Sequence, residues 1–215
     1  MPLESKKVLA GGMLAGLAAG MTAQKSQGAI IYTPLDEPVN ESNQQVNIDF
    51  EQTNSAPVSL NYDSTNGLTI QKQRFGSLPE VVSTSTNSGI AAAVPFGETI
   101  DSSQPESNLE ESVELNNGDG TTGQFVASDP PDVQYIGVEF LTTGGGIAYG
   151  WIGFEMTDDD SLADLSGTVT GYAYDNTGAG IPAGEIPEPS SLALLAMGAV
   201  GLLAYRRRSS AAPQS

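Results

Sequence analysis

The chain has 215 residues and a formal net charge of −18, with 26 acidic and eight basic residues. It contains no Cys and no His, which excludes disulfides, zinc fingers, thiol chemistry and every catalytic arrangement built on histidine. The acidic balance also argues against nucleic acid as a partner, because phosphate binding requires a basic surface.

The N-terminus has the pattern of a secretory signal peptide. Lys6 and Lys7 precede residues 8–23, which are uncharged and apolar, and small residues follow them. The small residues place the cut between Ala23 and Ala29 and favour cleavage after Gly28, so we assign residues 1–29 to the signal peptide. The alternative is a buried helix of the folded domain, which four glycines among sixteen residues disfavour.

Residues 30–186 are predicted to form one folded body, called the body below. Short runs in which apolar and polar residues alternate are separated by clusters of Gly, Pro, Asn, Asp and Ser, and a helical period is missing. This pattern predicts eight to ten strands in a single antiparallel β-sandwich or jelly-roll-like domain. The runs lie at residues 30–32, 46–50, 58–62, 68–70, 90–96, 125–126, 136–140, 147–154 and 168–174.

The densest apolar run, residues 134–156, is predicted to be a hairpin with a Gly-rich turn at 142–146. Because side chains alternate along a strand, Tyr149 and Trp151 share one face and Ile152 lies on the other. An aromatic pair on a strand can either stack on sugar rings at the surface or pack in the hydrophobic core. We favour burial of Trp151, because Trp is among the most buried residue types on average.

Two polar stretches are predicted to be loops, at residues 83–88 and 98–119. The second holds seven acidic residues and few apolar ones, and we expect it to be mobile.

The acidity of the chain is concentrated in the body. Residues 30–186 carry 24 acidic and two basic residues, a net charge of −22, which makes divalent cations natural partners. Asp158, Asp159 and Asp160 are candidate calcium ligands, and a solvated turn is the favoured interpretation because Asp is itself a turn residue. No other cofactor is indicated.

Catalysis is not expected. Without His or Cys, an enzyme would need a carboxylate pair. Because the body has 24 acidic residues, carboxylate pairs occur in it in any case and do not indicate catalysis. We find no nucleophile, base and stabilising group in a recognisable pattern, and therefore predict a non-enzymatic protein.

The C-terminus contains three features in order. Pro187, Glu188 and Pro189 are followed by the uncharged residues 192–205, then by Arg206, Arg207 and Arg208 and the polar tail 209–215. A helix of 14 residues is about 21 Å long, shorter than the hydrocarbon core of about 30 Å. The arginines are expected on the cytoplasmic side. Such a marginal span favours a transient tether over a permanent anchor.

This order of features resembles the PEP-CTERM sorting signal, found on exported proteins of Gram-negative bacteria that make extracellular polysaccharide. The resemblance implies recognition at residues 187–189 by exosortase, an integral membrane cysteine protease–transpeptidase. The apolar tail is then removed and the body is released or transferred to the cell surface.

We therefore expect an exported, non-enzymatic protein of the cell surface or extracellular matrix, held briefly in the inner membrane and associated with exopolysaccharide. The alternative is a lectin-like carbohydrate-binding β-sandwich, with or without calcium.

Overall fold

A computed structural model describes residues 30–52, 58–72, 80–83, 89–108, 112–118 and 123–187. The described residues form strands and no helix, which confirms the all-β prediction. The predicted signal helix and the apolar segment 192–205 lie outside them. The strands are β1 (Ile30–Val39), β2 (Gln45–Ile48), β3 (Val58–Asp63), β4 (Gly67–Lys72), β5 (Glu80–Val82), β6 (Ala93–Val94), β7 (Thr99–Ile100), β8 (Glu106–Asn108), β9 (Ser112–Asn116), β10 (Val133–Leu141), β11 (Ile147–Asp158), β12 (Ser166–Asp175) and β13 (Ile181–Pro182).

The strands form two sheets and a short separate pair, and all the ladders between them are antiparallel. The large sheet has the order β1-β12-β11-β10-β5-β8, and β6 also pairs with β10. The small sheet has the order β2-β3-β4-β9, and β7 pairs with β13. Strand β1 contains Pro34 and Pro38 and lies at the edge of the large sheet, where a residue without an N–H is tolerated.

The predicted hairpin is confirmed as β10 and β11. Leu141 pairs with Ile147 at the turn, and Ile136 pairs with Ile152 farther along the ladder. The N–H of Thr142 donates to the Gly146 carbonyl at 2.8 Å, and the N–H of Gly145 donates to the Thr142 carbonyl at 2.9 Å. The Gly-rich segment therefore closes the turn where its composition places it.

The main core lies between the two sheets and contains residues from both. Phe50 is at its centre: its ring stacks on Phe140 at a centroid distance of 4.6 Å and meets the edge of Tyr172 at 5.2 Å. The Tyr172 hydroxyl donates to the Asp49 carbonyl at 2.9 Å, so its polar end is satisfied. Fully buried neighbours come from the small sheet and from the large one: Ile48, Val58, Leu60, Leu68, Ile70, Ile136, Val138 and Ile152.

A second core covers the opposite face of the large sheet. It contains Tyr149 and Trp151 of β11, together with Ile100 of β7 and Ile181 of β13. Trp151 is only 2% exposed, which confirms that it is buried. Strand β11 is therefore covered on both faces, and this explains its nearly continuous apolar sequence.

The prediction of a long loop at residues 98–119 is wrong for the described residues of this segment, because β7, β8 and β9 lie there. Val113 and Leu115 are 1% and 0% exposed and alternate with Ser112 and Glu114. Two apolar residues at alternate positions suffice for β9 because it only completes the edge of the small sheet. Ser83 bridges to Ala91, and residues 84–88 lie outside the described part.

Two of the short predicted strands also differ from the structure. Only Ala93–Val94 of the run 90–96 is a strand, and Pro95, Phe96 and Gly97 form a turn in which the N–H of Glu98 donates to the Pro95 carbonyl. Phe125 is fully buried without belonging to a strand, so its burial comes from packing on Phe154 at 6.1 Å.

Gly67 offers a test of the contact between the β3–β4 turn and β9. Its φ is +79°, and a Cβ there would lie 2.4 Å from the Asn116 carbonyl oxygen. Gly145 has a similar φ of +80° and nothing within 4 Å of the same position. We expect Gly67→Ala to lower the free energy of unfolding by about 1–3 kcal/mol more than Gly145→Ala, because only Gly67 adds a clash to the shared backbone strain. Urea denaturation measures the difference, and equal losses would contradict the described packing.

Candidate sorting site

The last strand of the body is held by β7. Ile181 pairs with Ile100 and Pro182 pairs with Thr99 in a short antiparallel ladder. The Ile181 side chain is 0% exposed and lies in the second core with Trp151. An apolar side chain inserted beneath a two-residue strand keeps this end of the chain on the large sheet.

Hydrogen bonds continue this attachment past β13. The Ala183 N–H donates to the Glu98 carbonyl at 2.8 Å, and the Ala183 carbonyl accepts from the Gly97 N–H at 2.9 Å. The Glu185 N–H donates back to the Pro182 carbonyl at 3.1 Å, which closes a turn. Ala183 is fully buried, so the body holds the chain firmly at this residue.

Gly184 is the point where the chain turns away from the body. Its φ is +76°, and a Cβ there would lie 2.6 Å from the rings of both Phe96 and Tyr135. Only glycine satisfies both the left-handed backbone and the close aromatic rings. The next residues are exposed, and Ile186 keeps 51% of its surface accessible. Pro187 is therefore exposed only three residues after the turn.

A row of aromatic rings leads from the second core to this exit. Tyr32 and Tyr135 pack against Trp151 at centroid distances of 5.8 and 5.4 Å, and Phe96 lies 6.2 Å beyond Tyr135. Partial burial raises the pKa of the Tyr135 hydroxyl, and the charge of Asp132 raises it further. At the end of the row, Phe96 is 75% exposed.

Trp151 contributes packing at this site. Its Nε1 is buried without a hydrogen-bond partner among the described residues, and its ring stands at 84° to that of Tyr135. A side chain enclosed in this way presents neither a polar edge nor a ring face to solvent.

The segment that follows the turn matches a known motif. Residues 185–208 match the family model of the PEP-CTERM protein-sorting motif. The chain carries a PEP-CTERM sorting signal. The signal indicates an exported protein that crosses the membrane and meets exosortase during export. No curated protein and no solved structure shows significant similarity to the chain.

The structure describes only the start of the PEP-CTERM signal. Pro187 is exposed at the end of the described residues, whereas Glu188, Pro189, Arg206, Arg207 and Arg208 lie outside them. The roles of these residues stay predictions, as do the boundaries of the signal peptide, body and tail. Across the residues that the structure covers, no helix combines the length and apolarity that a membrane span requires.

Sequence reasoning missed the side chains that shape the exit, namely Phe96, Tyr135, Ile181 and Gly184. One signal was available, because Phe96 stands between Pro95 and Gly97, and both flanking residues favour a turn. A large aromatic residue in a turn is prone to exposure. Ile181 carried no such signal, since its burial depends on β7, which precedes it by about 80 residues.

Two of the three candidate calcium residues accept hydrogen bonds from backbone N–H groups. Asp158 accepts from the Asp160 N–H at 3.1 Å, and Asp159 accepts from the Ala127 N–H at 3.0 Å. In the part of the chain covered by the structure, no group of three acidic side chains is arranged to hold a metal ion. The hydrogen bonds fit the turn interpretation, and calcium binding stays a prediction.

We expect chelation to leave the stability of the body unchanged, because described carboxylates do not converge. Thermal unfolding of the secreted protein with 1 mM calcium or with excess EDTA checks this, since a ligand that binds only the folded state raises the melting temperature. The matched variant Asp158→Asn separates a calcium site from a solvated turn. A calcium-dependent shift that this variant abolishes would establish a site at residues 158–160.

Two isoleucines near the exit give a matched test of how the chain is held. Ile181→Ala removes a fully buried side chain and is expected to cost about 2–5 kcal/mol in the free energy of unfolding. Ile186→Ala removes a side chain that is 51% exposed and is expected to change stability by about 0.5 kcal/mol or less. Urea denaturation measures both. Similar effects for the two variants would show that the body does not end where the structure places it.

Proposed function

We propose that this protein is a non-enzymatic protein of the cell surface or extracellular matrix, delivered by its PEP-CTERM signal. The observation that carries the proposal is the position of the matched motif, which starts at residue 185, directly after Ala183 and Gly184, the last buried residues in the part of the chain that the structure describes. A cut within residues 187–189 would therefore remove the tail and leave every described strand in place.

The length of the connection supports a site of cleavage close to the membrane surface. Four residues lie between Pro187 and Leu192, the first residue of the uncharged segment, so the two are at most about 18 Å apart when the chain is extended. Residues 192–205 are the proposed tether, with Arg206, Arg207 and Arg208 in the cytoplasm. Because this tether is shorter than the hydrocarbon core, it suits temporary retention better than permanent anchoring.

Composition supports a non-enzymatic role. A chain without His or Cys lacks the side chains that most often act as a base or a nucleophile near neutral pH. The body's net charge of −22 keeps a released protein soluble. We propose association with exopolysaccharide because PEP-CTERM signals occur on exported proteins of bacteria that make extracellular polysaccharide.

The alternative is a carbohydrate-binding β-sandwich, and one observation favours it. Phe96 is 75% exposed beside the partly buried Tyr135, and exposed aromatic rings can stack on sugars. Against it, Tyr149 and Trp151 are 7% and 2% exposed, which leaves no broad aromatic platform on β11. A glycan array probed with the secreted protein and with Phe96→Ser separates the two functions, since only a lectin loses binding.

Mass spectrometry of the mature protein tests the sorting proposal. In a host that contains exosortase, we expect the wild-type chain to end near Pro189 and to lack residues 192–215. Joint replacement of Pro187, Glu188 and Pro189 by Ala is expected to leave the full-length chain in the membrane fraction, because the recognised motif is gone.

Pro213→Ala in the polar tail is the matched control and should be processed like the wild type. An intact C-terminus on the mature wild-type protein would overturn the sorting proposal.

A further inference from the structure

The surface around the exit of the chain is unusually apolar for so acidic a protein. We define the exit surface as Phe96, Tyr135, Gly184 and Ile186. Phe96 is 75% exposed and Ile186 is 51% exposed, and both lie within two residues of Gly184 or in contact with it. Exposed apolar side chains that cluster in this way mark interaction sites.

Acidic groups border this surface. The backbone of Glu98 is hydrogen-bonded to Ala183, Glu185 lies in the exit turn, and the charge of Asp132 acts on the Tyr135 hydroxyl. A partner that fits the exit surface therefore has an apolar depression for Phe96 and a basic rim. The same acidic border repels a bilayer rich in anionic lipids.

The short connection brings one partner to this surface. Three residues lie between Gly184 and Glu188, so at most about 14 Å of extended chain joins the two. An enzyme that holds the motif in its active site therefore lies against the part of the body from which the motif emerges. Because Ile181 and Ala183 are fully buried, the connection cannot become longer without pulling buried residues out of the body.

We propose that the exit surface is a docking site for the extracytoplasmic face of the enzyme that cuts the PEP-CTERM signal. This inference rests on the proposed function. Phe96 inserts into an apolar depression of the enzyme, and the acidic border faces basic residues around it. The body thereby contributes to recognition in addition to the motif itself.

Phe96→Ser tests the apolar contact in the full-length protein in its exporting host. A pulse-chase measures the half-time with which the full-length chain is converted to the shortened one. Loss of a central apolar contact of about 1.4 kcal/mol predicts roughly tenfold slower processing. Folding should be unaffected, because Phe96 is 75% exposed, and the melting temperature of the variant verifies this.

The matched control is Leu141→Ser. Leu141 is 55% exposed at the other end of β10, six residues and about 20 Å from Tyr135 along the strand. We expect its processing rate to stay within about twofold of the wild type. Asp132→Lys tests the acidic border independently and is expected to slow processing without removing any apolar contact.

The outcomes separate the two proposals. If the wild type is never cut, the proposed function fails. If the wild type is cut and both Phe96→Ser and Asp132→Lys are cut at its rate, the docking site alone is overturned.

Two other occupants of the exit surface would also overturn the docking site. One is a bilayer, shown if the released protein binds phosphatidylcholine or mixed phosphatidylglycerol vesicles through Phe96 while processing is unchanged. The other is a second copy of the chain, shown by a dimer in light scattering that Phe96→Ser dissociates.

Discussion

The structure depends on the burial of β11 on both of its faces. One face of this strand carries Ile152 into the core between the sheets, and the other carries Trp151 into the second core. Because a central strand of this kind exposes almost no apolar surface, it needs cover from two independent sets of elements. The small sheet provides one, and the segments around β6, β7 and β13 provide the other.

The second core links the fold to the sorting signal. Its cover includes Ile181 of β13, the last described strand before the chain leaves the body. The packing that buries Trp151 therefore also holds the end of the body on the large sheet. A signal that is cut close to a folded domain requires a terminal strand that stays attached to the body. A loosely attached strand would separate from the sheet when the tail is removed. The positive φ of Gly184 completes the transition within one residue.

The residues that were predicted correctly had strong local patterns. The hairpin of β10 and β11 follows from alternating apolar residues on either side of a Gly-rich turn, and the burial of Trp151 follows from its position in that run. The errors arose where local pattern is weak. Strand β9 has only two buried apolar residues, Val113 and Leu115, and reads as an acidic loop until β4 supplies its hydrogen bonds. The position of Phe96 was misread because a short apolar run resembles a strand whether or not a turn interrupts it.

The sorting signal, the all-β class and the lack of histidine and thiol chemistry could be read from the amino-acid sequence, because each of these is a property of composition or of short contiguous patterns. The three-dimensional fold was needed to show that β7 and β13 pair, that Ile181 is buried, and that Phe96 is exposed beside the exit. These features join residues that are far apart in the chain. Their burial or exposure depends on which other strands cover them, and that information is absent from any local stretch of sequence.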